Sequence, residues 1–212
     1  MSNLNQLLLN FNHKQNFNYN DFYVSKSNFY AFKLIDSWPK WEKKILNIYG
    51  ETGCGKSHLS QIFISKHKAK LFRENQLDDD LLLKLKLYEN LILDEFENRT
   101  DENLLYSLFN LVEQDNKFLI INSKKPIIQK DFLLKDLKSR VKNCLLAEIK
   151  MPDDELIFAL LLKNFSDKQI SIDKKIIDYI VKRIDRSYGK IKEFIYKVDE
   201  MSLKQKKPIN LK

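Results

Sequence analysis

Glycine, proline and cysteine are all scarce here: four, four and two residues in a chain of 212. So little glycine and proline excludes collagen-like, proline-rich and other low-complexity architectures, and no internal repeat is readable. Cys54 and Cys144 stand far apart and in no metal-ligand or redox spacing, so neither a disulfide framework nor a zinc site is expected, and the thiols are read as reduced. Long apolar runs are missing too. Leu7 to Leu9 is far too short for a signal-peptide core or a membrane span, and no segment approaches the required length elsewhere, so a cytoplasmic location away from membranes is expected. Arginine is a further scarcity. Only Arg73, Arg99, Arg140, Arg183 and Arg186 occur among 37 basic residues. The net charge of +8 is therefore carried by dispersed lysines, with no helix-turn-helix or zinc finger readable, and it is read as a solvated surface that meets DNA only weakly or indirectly. Where arginine has been kept, its planar fork is worth following.

Against these absences, 43% of the residues are hydrophobic, enough to bury a core in one main domain with a smaller appendage. Short apolar runs alternate with amphipathic stretches. Strands are expected at Ile45 to Tyr49, Ala69 to Phe72, Asn90 to Asp94, Phe118 to Ile121 and Leu145 to Ile149. Helices are expected at Lys56 to about His67, Leu81 to Tyr88, Leu104 to Glu113 and Leu133 to Arg140. The order predicts an α/β fold, a parallel β-sheet flanked by helices. After Met151-Pro152 the pattern turns wholly helical, with Asp153 suited to an N-cap and stretches near 154–165, 173–184 and 187–201. The expected division is a flexible arm at 1–20, an α/β nucleotide-binding domain at 21–150 and a small all-helical lid at 151–212.

Three of the four glycines fall in Gly50-Glu51-Thr52-Gly53-Cys54-Gly55-Lys56-Ser57, which fits G-x-x-x-x-G-K-[ST] between a strand and a helix. Glycines there allow the positive φ values that turn successive backbone N–H groups inward, and the helix aims its positive end at the same spot. Lys56 would reach the β- and γ-phosphates of a nucleotide, and the Ser57 hydroxyl would ligate Mg²⁺. The apolar run Leu91-Ile92-Leu93 delivers Asp94 and Glu95 to the same sheet edge. Asp94 would hold the Mg²⁺ through water and Glu95 would polarise an attacking water. Taken alone, such an acidic pair more often belongs to a helix-capping loop; paired with the phosphate loop it reads as functional.

With FLIINSKKP at 118–126, Ser139-Arg140 after a short helix and the terminal three-helix lid, these features resemble an AAA+ module. More closely, DFYVSKSN (21–28), LIDSWPKW (34–41), GKSHL (55–59) and RSYGKIKEFIYKVDEMSLKQKKPINL (186–211) are similar to the replication initiator DnaA family, and within it to its short Hda-type members. The resemblance covers nearly the whole chain. It implies ADP or ATP as ligand, with His58 beside the phosphate loop, and Asn122 and Ser123 at a sensor position next to the γ-phosphate. It makes Arg140 an arginine finger acting on a neighbouring subunit's nucleotide, the alternative being a surface salt bridge. The usual lid arginine is replaced in this register by Gly189, leaving Arg186 one turn earlier as the candidate. An N-terminal interaction domain and a helix-turn-helix domain, present in the initiator, are not expected here.

Two functions follow from that resemblance. One is a nucleotide-bound adaptor that binds the DNA polymerase sliding clamp and stimulates ATP hydrolysis by DnaA, with weak turnover of its own, so preventing over-initiation. The other is a self-sufficient AAA+ ATPase, acting as initiator or helicase loader through Lys56, Asp94 and Glu95. Homo-oligomerisation is left open. At the N-terminus, Gln6-Leu7-Leu8-Leu9-Asn10-Phe11 reads by itself as an apolar arm folded onto the core. It also resembles the clamp-binding peptide of replication proteins, in which Gln6 would orient hydrogen bonds while Leu7, Leu9 and Phe11 enter apolar pockets.

Overall fold

The computed structural model describes residues 21–170 and 172–205. Gln6, Leu7, Leu9 and Phe11, and the tail from 206 onward, lie outside the described residues. The elements run α1 (Phe29–Asp36), β1 (Ile45–Tyr49), α2 (Lys56–Lys66), β2 (Ala69–Arg73), α3 (Asp79–Leu85), β3 (Asn90–Phe96), α4 (Glu102–Gln114), β4 (Phe118–Ser123), α5 (Lys135–Lys142), β5 (Leu145–Glu148), α6 (Asp154–Asp167), α7 (Lys174–Val181) and α8 (Tyr188–Gln205).

The five strands form one parallel sheet in the order β2-β3-β4-β1-β5. Its central strands are largely apolar because both faces are covered, with Asn47 inside β1 and polar residues gathered toward the ends of β3 and β4. Alternate residues divide the core: Leu91, Leu93, Leu119 and Ile121 face α3, α4 and α5, whereas Leu46, Ile48, Ile92 and Ile120 pack with Ala31, Ile35, Leu59 and Phe63 from α1 and α2. The C-terminal helices α6, α7 and α8 enclose a third core of Ile157, Leu161, Phe165, Ile177, Val181, Ile191 and Ile195. No described helix is long and apolar enough to cross a membrane.

Several boundaries differ from the expectation for identifiable reasons. The helix α3 begins at Asp79, two residues before the leucine pattern suggests, because the Asp78 carboxylate caps it by accepting from Leu81 N at 2.7 Å. The helix α5 begins two residues late because the N–H groups of Leu133 and Leu134 are held by the Glu102 carboxylate. Asp153 does cap α6, accepting from Leu156 N at 2.9 Å, and it also accepts from Ser27 N at 3.1 Å.

One polar residue inside the sheet shapes the edge where ligands of such folds bind. Asn47, fully buried on β1, donates to Ile121 O and to Ser123 Oγ, both at 2.9 Å, and its Oδ1 accepts from Ile127 N at 2.8 Å. This network ties the turn after β4 to the strand that carries the phosphate loop. Asn47→Ala leaves the Ile127 N–H buried without a partner, and a buried orphan costs about 1–3 kcal/mol. We expect a loss of about 2–3 kcal/mol in urea unfolding with the denaturant dependence unchanged.

Candidate nucleotide site

The site is built at the C-terminal ends of β1, β3 and β4. The chain leaves β1 at Tyr49 and turns through Gly50, Gly53 and Gly55, whose φ values are 152°, 84° and 104°, before α2 starts. At two of these positions sterics add to conformation. A Cβ on Gly50 would lie 2.5 Å from Ile149 O, and one on Gly55 would lie 3.1 Å from the Phe22 ring. The run of positive φ values followed by a helix N-terminus is the backbone geometry of an anion nest.

Lys56 arches back over this loop, its Nζ donating to Gly50 O and Glu51 O at 2.8 Å each and lying 3.6 Å from Cys54 Sγ. Its partners are neutral carbonyls. A phosphate oxygen makes a charge-assisted bond of about twice that strength, so it would win the ammonium. Burial pushes the Cys54 thiol above its ordinary pKa, against the opposing pull of Lys56, so the sulfur stays protonated as part of the loop's inner wall. Glu51, Thr52 and Ser57 are exposed, and half-buried His58 meets the Phe22 ring edge-on at 5.2 Å.

Asp94 is buried at the end of β3, and its Oδ1 accepts from Asn122 Nδ2 at 2.9 Å and Glu95 N at 3.0 Å. Asn122 Nδ2 donates also to Ser60 Oγ at 2.7 Å, so one amide bridges β3, β4 and α2. The buried Oδ1 of Asn122 has no hydrogen-bond partner among the described residues. Ser123 is spent on structure: its Oγ accepts from Asn47 and donates to Lys125 O at 2.7 Å, and its carbonyl receives Gly50 N at 3.3 Å.

These residues fit a Mg²⁺–nucleotide. Ser57 and Asp94 would hold the cation, with phosphate oxygens and waters completing its shell, the usual mode for a metal that dehydrates reluctantly. Among the described residues no group of three or more His, Cys, Asp or Glu could hold a metal by itself.

Glu95 sits where β3 slips register against β4, between Leu93 and Phe96, and takes a left-handed φ of 58°. Such a conformation costs about 1–3 kcal/mol for a residue with a side chain. Its carboxylate pairs with Arg73 Nε at 3.3 Å, with both side chains more than 60% exposed. An exposed pair of this kind is worth at most about 1 kcal/mol. The strained glutamate is therefore held at the β2 edge by a contact that is easily broken.

Arg140 lies outside this cluster. Its guanidinium pairs with Glu113 on α4 and stacks 5.2 Å from the Tyr106 ring centroid, and hydrogen bonding to Glu113 raises its pKa further. At 27% side-chain exposure it is the most sheltered arginine in an ion pair among the described residues. Arg186 pairs with Asp154 at 2.7 Å, both well exposed, and Lys190 pairs with Glu193 at 3.0 Å.

Two aromatic residues that the motif reading did not single out complete the surroundings. Phe22 packs on Gly55, and Tyr188, the first residue of α8, has its Cβ 3.9 Å from the Cβ position of Gly53. The Tyr188 hydroxyl donates to Lys150 O at 3.1 Å, and burial pushes its pKa above the ordinary tyrosine value. Both lie far from the glycine motif in sequence, and only their place beside other motif stretches hinted at them.

No protein-family model matches the chain. It is 25% identical over 222 residues to the chromosomal replication initiator protein DnaA of Thermoanaerobacter sp. (strain X514), covering 92% of this chain and 50% of that protein. The DnaA of Helicobacter hepaticus is 25% identical over 204 residues, covering 84% of this chain and 43% of that protein. The chain thus spans half or less of the length of these relatives. Among solved structures, domain III of the Thermotoga maritima initiator DnaA superposes with a TM-score of 0.71 at 18% identity, covering 92% of both chains. A DnaA bound to AMPPCP and single-stranded DNA gives 0.70 at 18% identity, covering 88% of this chain and 67% of that one. The Thermotoga maritima RuvB branch-migration motor gives 0.59 at 21% identity, over 79% of this chain and 58% of that one.

Proposed function

We propose that this chain, similar in sequence and fold to DnaA, is a DnaA-like AAA+ domain that binds ADP or ATP with Mg²⁺ and regulates replication initiation as a short adaptor of the Hda type. In this reading it docks on the DNA polymerase sliding clamp through Gln6, Leu7, Leu9 and Phe11 and presents Arg140 to the nucleotide of DnaA, whose ATP hydrolysis it stimulates.

The observation that carries the nucleotide reading is the geometry around Gly50 to Lys56: three positive-φ glycines, an ammonium held only by neutral groups, and the Asp94–Asn122–Ser60 chain beside it. Glu95 would have to leave its exposed pair with Arg73 to polarise an attacking water, a step costing at most about 1 kcal/mol, so turnover by the chain itself stays as the second reading. Clamp docking rests on the peptide-like spacing of Gln6 to Phe11.

Pull-down with purified sliding clamp tests the adaptor reading. Wild type is expected to be retained with either nucleotide, and the double variant Gln6→Ala, Phe11→Ala to lose at least about tenfold in affinity, as removal of two anchor residues does. Equal retention of both proteins would remove the clamp from this account.

A further inference from the structure

At the end of the sheet away from the phosphate loop, where β2 and β3 begin, there is a cavity of about 380 Å³. Small-molecule sites occupy roughly 300–1,000 Å³. Two atoms of residues around it have no hydrogen-bond partner among the described residues: the indole Nε1 of Trp38, a donor, and Oδ1 of Asn90, an acceptor. Asn90 is only 3% exposed, and its amide nitrogen donates to Lys68 O at 3.2 Å, which fixes the orientation that leaves Oδ1 over. The second tryptophan has no such deficit, because Trp41 Nε1 donates to Leu34 O at 2.6 Å. Buried polar groups are ordinarily paired, so an orphaned donor and an orphaned acceptor at one cavity state two requirements for a ligand.

The walls narrow the chemistry further. The half-buried His67 ring lies 4.2 Å from the Trp38 indole with the planes at 44°, neither stacked nor edge-on, so a flat ring laid parallel on the indole would make the better contact. Burial holds the His67 pKa below its ordinary value, with Lys66 acting in the same direction and Glu89 against it, so the covering ring is neutral near pH 7. At the rim Lys66 pairs with Asp36 at 2.7 Å, whereas exposed Lys68 makes no ion pair among the described residues. The far wall is fixed, since Lys117 Nζ donates to Lys86 O at 2.8 Å and to Tyr88 O at 3.0 Å.

From this arrangement we propose that the cavity is a second ligand site, for a nucleobase that carries a phosphate. The base displaces the His67 ring from the indole face, its edge acceptor and donor meet Trp38 Nε1 and Asn90 Oδ1, and its phosphate meets Lys68. Every base has a flat π-face for stacking and an edge that carries hydrogen-bonding groups. A free nucleoside monophosphate and the end of a single strand present this same chemistry. The site stands apart from Gly50 to Ser57, which lie at the opposite ends of the strands, and it does not depend on how that loop is read.

The chain has two tryptophans, so the indole N–H resonances of the isotope-labelled full chain test this by nuclear magnetic resonance. They are assigned with Trp38→Phe or Trp41→Phe, whichever folds. On titration with uridine monophosphate to about 10 mM, the Trp38 resonance is expected to move downfield and saturate while that of Trp41, already bonded, stays in place. Lys68→Ala is expected to weaken the monophosphate about threefold and leave uridine itself unchanged, the size of an exposed charge contact. His67→Ala, which removes the covering ring, is expected to bind the monophosphate at least as tightly as wild type. A single-stranded uridine octamer distinguishes the sources: affinity at least about tenfold above the monophosphate assigns a strand end, equal affinity a free nucleotide, and either upholds the base site. A Trp38 resonance that neither probe moves overturns the proposal, and the cavity then holds water only. Tenfold weaker binding in His67→Ala overturns it too, as does equal weakening of uridine and its monophosphate in Lys68→Ala. Occupation of the phosphate loop is read separately, at the amides of Gly53 and Gly55.

Discussion

On the proposed adaptor role, Arg140→Ala is expected to cut the stimulated hydrolysis of ATP by DnaA on the order of 10³-fold in a single-turnover assay, while any nucleotide and clamp binding by this chain is expected to stay at wild-type levels. The size follows from what a guanidinium supplied to a phosphoryl-transfer transition state contributes, about 10³ to 10⁵ in rate. The structure adds a constraint on how Arg140 would act. Its side chain is engaged with Glu113 and stacked on Tyr106, so reaching another subunit's nucleotide means exchanging a carboxylate for a phosphate. Such an exchange is feasible in energy, because a partly exposed pair contributes about 0.2–1 kcal/mol and the stacking about as much again. For the same reason Arg140→Ala should leave the thermal midpoint nearly unchanged. Arg140→Lys keeps the charge without the planar fork and is expected to restore little of the stimulation. Unchanged stimulation in Arg140→Ala would return this residue to the role of a salt bridge between α4 and α5.

The second large effect is expected at Lys56. Lys56→Ala should lower affinity for ADP and ATP by about 100-fold or more, because the charge-assisted bonds it would make to phosphate oxygens are worth about 1.5–3 kcal/mol each, and 1.4 kcal/mol is tenfold. Stability should hardly move. Among the described residues Lys56 bonds to two carbonyls of its own loop and makes a weak contact to Cys54, which water can replace in part. Calorimetric titration for affinity and a circular-dichroism melt for stability separate the two quantities. Wild-type affinity in this variant would show that the loop does not hold phosphates.

The phosphate loop was legible because its requirement is local. Positive φ at Gly50, Gly53 and Gly55 restricts those positions to glycine, so the backbone geometry leaves its mark directly in the residue types. The strands were legible for a similar reason: a parallel sheet covered on both faces demands short, mostly apolar runs, and ILNIY, NLILD and FLII supply them. By contrast, α1 escaped notice. Its buried residues are only Ala31 and Ile35, while Phe29 and Tyr30 are half exposed, so apolar character does not mark its inner face. The end of β3 was misjudged as well. The strand is expected to end at Asp94, but the ladder continues to Phe96 through a register shift, with one carboxylate at Asn122 and the other at Arg73.

Residue types and spacing alone were enough for an α/β sheet, a glycine loop with the backbone geometry of an anion nest, a lysine and two acids near the strand ends, and a helical C-terminal part. Each of these is written in short-range patterns of residue type and spacing. The tertiary structure alone decided which groups are committed to one another. Asn47 holding the turn after β4, Arg140 stacked between Glu113 and Tyr106, and Tyr188 wedged against Gly53 all join residues distant along the chain. Their pairing depends on how helices cross a sheet, and no local pattern of side chains encodes it.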